Sequence, residues 1–139
     1  PYHELRPAQI KVLIAFAAAD VLQLRHQQIT FTLLKTVIGR RIVEPQVYDL
    51  MPRVAELMIH CQDQHVRHLC QQVFLQFLQY YPLAVPRLEK HLRFLLANLE
   101  YEHSEGRGAV IDMLGMIIRR FPAQEVCARA QLFFLPLVV

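Results

Sequence analysis

Glycine is scarce in this chain, with four residues in 139, and serine is scarcer still, Ser104 being the only one. The glycines (Gly39, Gly106, Gly108 and Gly115) form neither G-x-G-x-x-G nor G-x-x-x-x-G-K, so no phosphate-cradling loop is encoded. Neither G-x-S-x-G nor H-E-x-x-H occurs, and the lone serine stands ahead of a predicted helix, where capping is its expected role. Charged residues make up only 19%. The net charge of +3 permits a nucleic-acid partner without demanding one. Long hydrophobic runs are absent too: Val12 to Ala19 spans eight residues before Asp20 interrupts it, against the ~20 that a bilayer requires. No membrane partner is expected, and no signal-peptide pattern is visible. The cysteines Cys61, Cys70 and Cys127 are odd in number and lie within helical patterns, which fits a reducing intracellular compartment.

Apolar side chains are in excess, at 54%. A chain of this length can bury one core, and so apolar a composition suits closely packed helices whose ends meet more protein. The start without Met and the apolar stretch Leu132–Val139 are expected of a piece of a longer chain.

Set against itself at a shift of 40, the sequence gives three copies of one pattern. Ile29, Leu33, Leu34, Val37 and Ile38 recur as Leu69, Val73, Phe74, Phe77 and Leu78, then as Ala109, Met113, Leu114, Ile117 and Ile118. The internal spacing i, i+4, i+5, i+8, i+9 is one face of an α-helix. A weaker register links Ile10, Ile14 and Ala17 to Leu50, Val54 and Leu57, then to Lys90, Phe94 and Ala97. These patterns predict helices over 8–23, 26–41, 46–60, 64–81, 85–100, 105–121 and 124–139. The repeats would then span about 1–42, 43–82 and 83–122, with the first helix of a further repeat at 123–139. Pro7, Pro45 and Pro86 mark helix starts, Asp63 and Ser104 are predicted N-caps, and Pro82 and Pro122 close second helices one period apart.

A helix pair every 40 residues is the HEAT/armadillo pattern, since tetratricopeptide and ankyrin repeats are shorter. The fold class is therefore all-α, an α-solenoid that buries a continuous core between repeats and leaves two long faces for extended partners. Val66-Arg67 stands where HEAT repeats often carry Val-Arg. Gly106 replaces the valine one period later, before Arg107, and Gln27 replaces the arginine one period earlier.

His60, Cys61, His65, His68 and Cys70 supply enough nitrogen and sulfur for zinc. Cys70, however, aligns with Thr30 and Val110 beside the core face, Cys61 falls in a turn, and C-x-x-C is missing, so packing and solvation are the expected roles. No metal, cofactor or small-molecule substrate is predicted. Arg40, Arg41, Arg119 and Arg120 close second helices two repeats apart and are the candidate contacts to RNA or a protein partner. Cations there also complement the helix dipole, at about 0.3–1 kcal/mol each. The intervening repeat has Tyr80-Tyr81, which could stack on unpaired bases or pack. Phe74, Phe77 and Phe94 are assigned to the core, and Glu100, Glu102 and Glu105 to a solvated face.

Several stretches carry a family resemblance: Thr32-Leu33-Leu34-Lys35 with Arg40-Arg41; Val43-x-Pro45-x-Val47-Tyr48-Asp49-Leu50-Met51; Val73 to Leu78 with Tyr81-Pro82-Leu83; and His91 to Glu102. Over residues 26–139 the chain resembles the family of very large HEAT-repeat subunits of the small-subunit processome, component twenty of the nucleolar particle that matures the small-subunit ribosomal RNA precursor. The resemblance implies a non-catalytic scaffold in the nucleus and nucleolus, with pre-ribosomal RNA and other processome proteins as partners. The competing readings are a HEAT adaptor of another class, such as a nuclear transport receptor or a phosphatase scaffold, and a HEAT segment of a larger kinase. A transport receptor is expected to show an acidic inner face, whereas this chain is net basic.

The repeat places Leu33, Leu34, Val37, Val73, Phe74, Phe77, Met113, Leu114 and Ile117 inside. Phe77→Ala should cost about 3–5 kcal/mol in chemical denaturation, and a loss below about 1 kcal/mol would show the register to be misplaced.

Overall fold

The computed structural model describes residues 27–133. The helix expected over 8–23, with Pro7, Ile10, Ile14 and Ala17, lies outside these residues, as do residues 134–139. Within them the chain forms α1 (Gln27–Gly39), α2 (Pro45–His60), α3 (Gln64–Tyr80), α4 (Val85–Ala97), a 3₁₀ turn (Asn98–Glu100), α5 (Ser104–Arg120) and α6 (Ala123–Ala128). No strand occurs among the described residues, and the architecture is all-α, a solenoid of the HEAT/armadillo type. The second helices α1, α3 and α5 pack successively side by side, while α2 covers α3 and α5.

Local chemistry explains most boundaries. Asp63 caps α3, its carboxylate accepting from the N–H groups of His65 at 2.8 Å and Val66 at 3.3 Å. Pro45 opens α2 and Pro86 lies in the first turn of α4, where a missing N–H removes no helical bond. Pro82 and Pro122 follow Tyr81 and Phe121, the residues that terminate α3 and α5. Ser104 is a correction: it is the first helical residue of α5, and His103 occupies the cap without a side-chain bond. The Ser104 hydroxyl donates instead to the Glu105 carboxylate. Two helices are shorter than expected. Asn98 donates its side-chain N–H to the Phe94 carbonyl, and there α4 tightens into the 3₁₀ turn. The helix expected over 124–139 breaks at Arg129 and resumes over 130–133.

The core runs through α1 to α5. Leu34, Val37, Val73, Phe74, Phe77, Met113, Leu114 and Ile117 are buried as expected. Five departures follow from how the stripes turn. Ile29 is 72% exposed, Leu33 is half-buried and Ile118 is 44% exposed, whereas Phe31 and Val110 are fully buried. On α1 the buried stripe lies toward Phe31 and Ile38, and on α5 it has moved to Gly106, Ala109 and Met113. Each helix is rolled relative to its predecessor, as the small rotation between solenoid repeats requires. On α4 the stripe is Leu88, Leu92, Leu95 and Leu96, which leaves Lys90 and Ala97 exposed and Phe94 half-buried rather than central.

Two hydrogen-bond devices lock neighbouring helices. Arg67 donates to the Cys61 carbonyl, and Arg107, one period later, donates to the Tyr101 carbonyl at 2.7 Å and the Glu102 carbonyl at 2.9 Å. Each guanidinium, on the second helix of its pair, satisfies carbonyls left open where the first helix ends. At the other edge, the Tyr81 hydroxyl donates to the Ile42 carbonyl at 2.8 Å and accepts from the Glu44 N–H at 3.0 Å, pinning the α1–α2 connection. Tyr48 answers across the same gap by donating to the Pro82 carbonyl, with its ring 5.1 Å from that of Tyr81.

Gly106 is the point of closest approach. A Cβ there would lie 2.7 Å from the Ile59 carbonyl oxygen and 2.5 Å from the Tyr101 ring. The valine of the Val-Arg pair fits at position 66 and has no room at 106. In an open helix, Gly→Ala gains about 1 kcal/mol. Here Gly106→Ala should instead cost about 1–2 kcal/mol, because a backbone oxygen cannot move aside as a side chain would. Urea denaturation of a segment that keeps its flanking repeats reads the sign directly.

Candidate functional site

The four arginines singled out by the sequence are all exposed, and among the described residues none pairs with a carboxylate. They do not form one cluster. Arg40 and Arg41 follow the last turn of α1. The Arg41 N–H bonds to the Ile38 carbonyl and the Ile42 N–H to the Val37 carbonyl, a Schellman closure. That closure puts Arg41 at φ 54°, where glycine is the usual residue, and among the described residues it is the only non-glycine with positive φ. Arg119 lies back along α5, its guanidinium near Gly115, where a Cβ would be 3.5 Å away. Arg120 turns toward α3 and shares a groove with Tyr80 and Lys35.

This groove, of about 450 Å³, crosses the outer side of α3 between α1 and α5. Gln72, Gln76 and Gln79 supply amides along its floor, and Lys35 donates to the Gln72 carbonyl group at its α1 wall. Tyr80, 50% exposed, stands at its C-terminal end, in contrast to Tyr81, which is 3% exposed and turned inward. Lys35 and the glutamines escaped the sequence search. They fall between the apolar residues of the helical stripe, and only a helix wheel of α3 read for polar spacing would have drawn them out.

A second groove, of about 400 Å³, opens on the first-helix side between α2 and α4, lined by Tyr48, Pro52, Arg87, His91 and Phe94 among others. The Arg87 guanidinium sits 4.2 Å over the Tyr48 ring. His91 packs edge-on against Phe74 and Phe77, at 5.4 and 5.5 Å. Burial chiefly, with Lys90 and Arg87 nearby, pushes its pKa down to about 4. Its ring forms one wall of the core against the two phenylalanines.

The His/Cys stretch is dispersed. His60 stacks on Tyr101 at 5.0 Å, His68 shares a hydrogen bond with Gln72, and Cys61 ends α2. Cys70 is fully buried, and its thiol is pushed up to about 12, mainly by that burial. Among the described residues no three His, Cys, Asp or Glu side chains are grouped to hold a metal ion. No described helix is long and apolar enough to cross a membrane.

Successive antiparallel helix pairs around a shared core, with polar grooves open between them, define a helical-repeat array. Over its whole length the chain is 29% identical to U3 small nucleolar RNA-associated protein 20 of Schizosaccharomyces pombe. Over 134 residues, 96% of the chain, it is 27% identical to the Saccharomyces cerevisiae protein of the same name. The resemblance carried by residues 26–139 thus extends to both yeast proteins, of whose length the chain spans only 6% and 5%. No protein-family model matches the chain.

If Arg41 serves only to close α1, Arg41→Gly should raise stability by about 1 kcal/mol, through relief of the left-handed conformation. Paired thermal melts of the two variants measure this, and an unchanged or lower midpoint would mean that the side chain is held by contacts worth as much as the strain.

Proposed function

We propose that this chain is a stretch of HEAT-type repeats, bounded at about 1–42, 43–82, 83–122 and 123–139, in a non-catalytic scaffold of small-subunit ribosome assembly. In this reading the protein acts in the nucleolus, within the small-subunit processome, and holds pre-ribosomal RNA and other assembly proteins along its solenoid faces. The observation that carries it is the similarity, over the whole chain, to two proteins named for association with a small nucleolar RNA. The physical character of the segment supports a scaffold. Its most perturbed titratable groups, Cys70 and His91, are displaced by burial among apolar side chains, not by pairing with a nucleophile or base. Its open polar surface lies along helix faces rather than in an enclosed cavity.

The test is affinity purification of the tagged full-length protein from nuclear extract, with bound RNA sequenced and co-purifying proteins identified. Small-subunit ribosomal RNA precursors together with processome proteins are expected. Recovery of transport cargo or a phosphatase core, without ribosomal precursors, would overturn the reading.

A further inference from the structure

We propose that the groove over the C-terminal half of α3 binds single-stranded RNA, with an unpaired base on the Tyr80 ring and phosphates on Arg120 and Lys35. The choice of RNA over DNA rests on the scaffold reading above, while the rest is carried by the geometry of this face.

Two hollows meet here. The one already described, walled by Lys35, shares Gln79, Tyr80 and Arg120 with a neighbour of about 440 Å³ that continues past Val85 and Phe121 to Arg129. The shared residues make one track from α1 across α3 and α5 to α6. Arg40, Tyr80 and Arg120 are repeat-equivalent, 40 residues apart, so the tyrosine occupies the place that arginine takes in the repeats on either side.

Charge is distributed unevenly along this face. Among the described residues the first hollow has no carboxylate in its lining, and the second has one, Glu125. Glu105 and Asp112 lie instead in the cleft at the N-terminal end of α3. That cleft mixes the two carboxylates with Arg67, whereas the hollow at the C-terminal end of α3 carries Lys35 and Arg120.

The tyrosine distinguishes an unpaired nucleotide from other polyanions. Tyr80 is 50% exposed, and exposed Val85 lines the same hollow. A base offers a flat face to such a ring, with stacking that tolerates any sequence. In a duplex that face is taken up by neighbouring bases, and an acidic peptide has no equivalent group. Gln76 and Gln79, whose amides both donate and accept, line the same hollow as Tyr80.

The test uses the full-length protein in its native particles. Cells are irradiated with ultraviolet light, and nucleotide adducts are mapped to peptides by mass spectrometry. Adducts are expected on the peptides carrying Tyr80 and Arg120, falling about tenfold in Arg120→Glu while adducts elsewhere in the same chain persist. Adducts elsewhere but none on this groove overturn the proposal and leave the scaffold reading standing. Absence of ribosomal precursors from the particles removes the scaffold reading. The groove is then judged on the purified full-length protein with a 4-thiouridine-containing oligouridylate. There Tyr80→Ala should lower the cross-link to the α5 peptide about tenfold, and Tyr80→Phe, which keeps the ring, should preserve it. Equal yields in wild type and Tyr80→Ala overturn the proposal, as does a cross-link from Lys35 to an acidic protein segment in place of RNA.

Discussion

The apolar face of α3 must be covered on three sides before its central aromatic residues leave water. Phe74 and Phe77 are fully buried, and α1, α2 and α5 each pack against the helix that carries them. A helix of seventeen residues cannot bury such a face alone. Everything else in the segment serves that enclosure: arginine closures hold α2 to α3 and the 3₁₀ turn after α4 to α5, and Tyr81 fastens the α1–α2 connection from the opposite edge. Because the enclosure consumes the inward faces, what remains outside includes the polar sides of the second helices.

Much of this architecture was legible in the residues. The 40-residue recurrence in the second helices reflects a repeated packing need, so Val73, Phe74 and Phe77 could be placed inside from spacing alone. Asp63 and the prolines worked for the same reason, since capping and a missing N–H act within a few residues of sequence. The edges of the stripes were not legible. Ile29 and Ile118 occupy positions whose equivalents are at least half-buried, and their exposure is set by the roll between successive helices, a tertiary quantity. Phe94 failed differently, because a weak register through Lys90 competed with the stronger leucine stripe that begins at Leu88.

The functional surface was only half readable. Arg120 was found as a charge at a helix end, and the fold gives it Tyr80 and Lys35 as neighbours. Lys35 and Gln76 carry no signal by themselves, and only the side-by-side packing of α1 and α3 brings them to one groove. Arg40 and Arg41 show the reverse: their sequence signal was as clear as that of Arg119-Arg120, yet the Schellman turn leaves them outside both hollows. The substitution of glycine at 106 also acquires a reason, since an Ile59 carbonyl occupies the space a valine would need.

The fastenings described here reach no further than the neighbouring repeat, Arg67 to the end of α2 and Tyr81 to the α1–α2 connection one period earlier. Strain applied at one end of such an array is therefore handed on from repeat to repeat. An array whose contacts reach only neighbouring repeats bends through small changes in the angle between them, as a leaf spring does. A long rod built this way could follow the changing outline of a large assembly without any of its pairs unfolding.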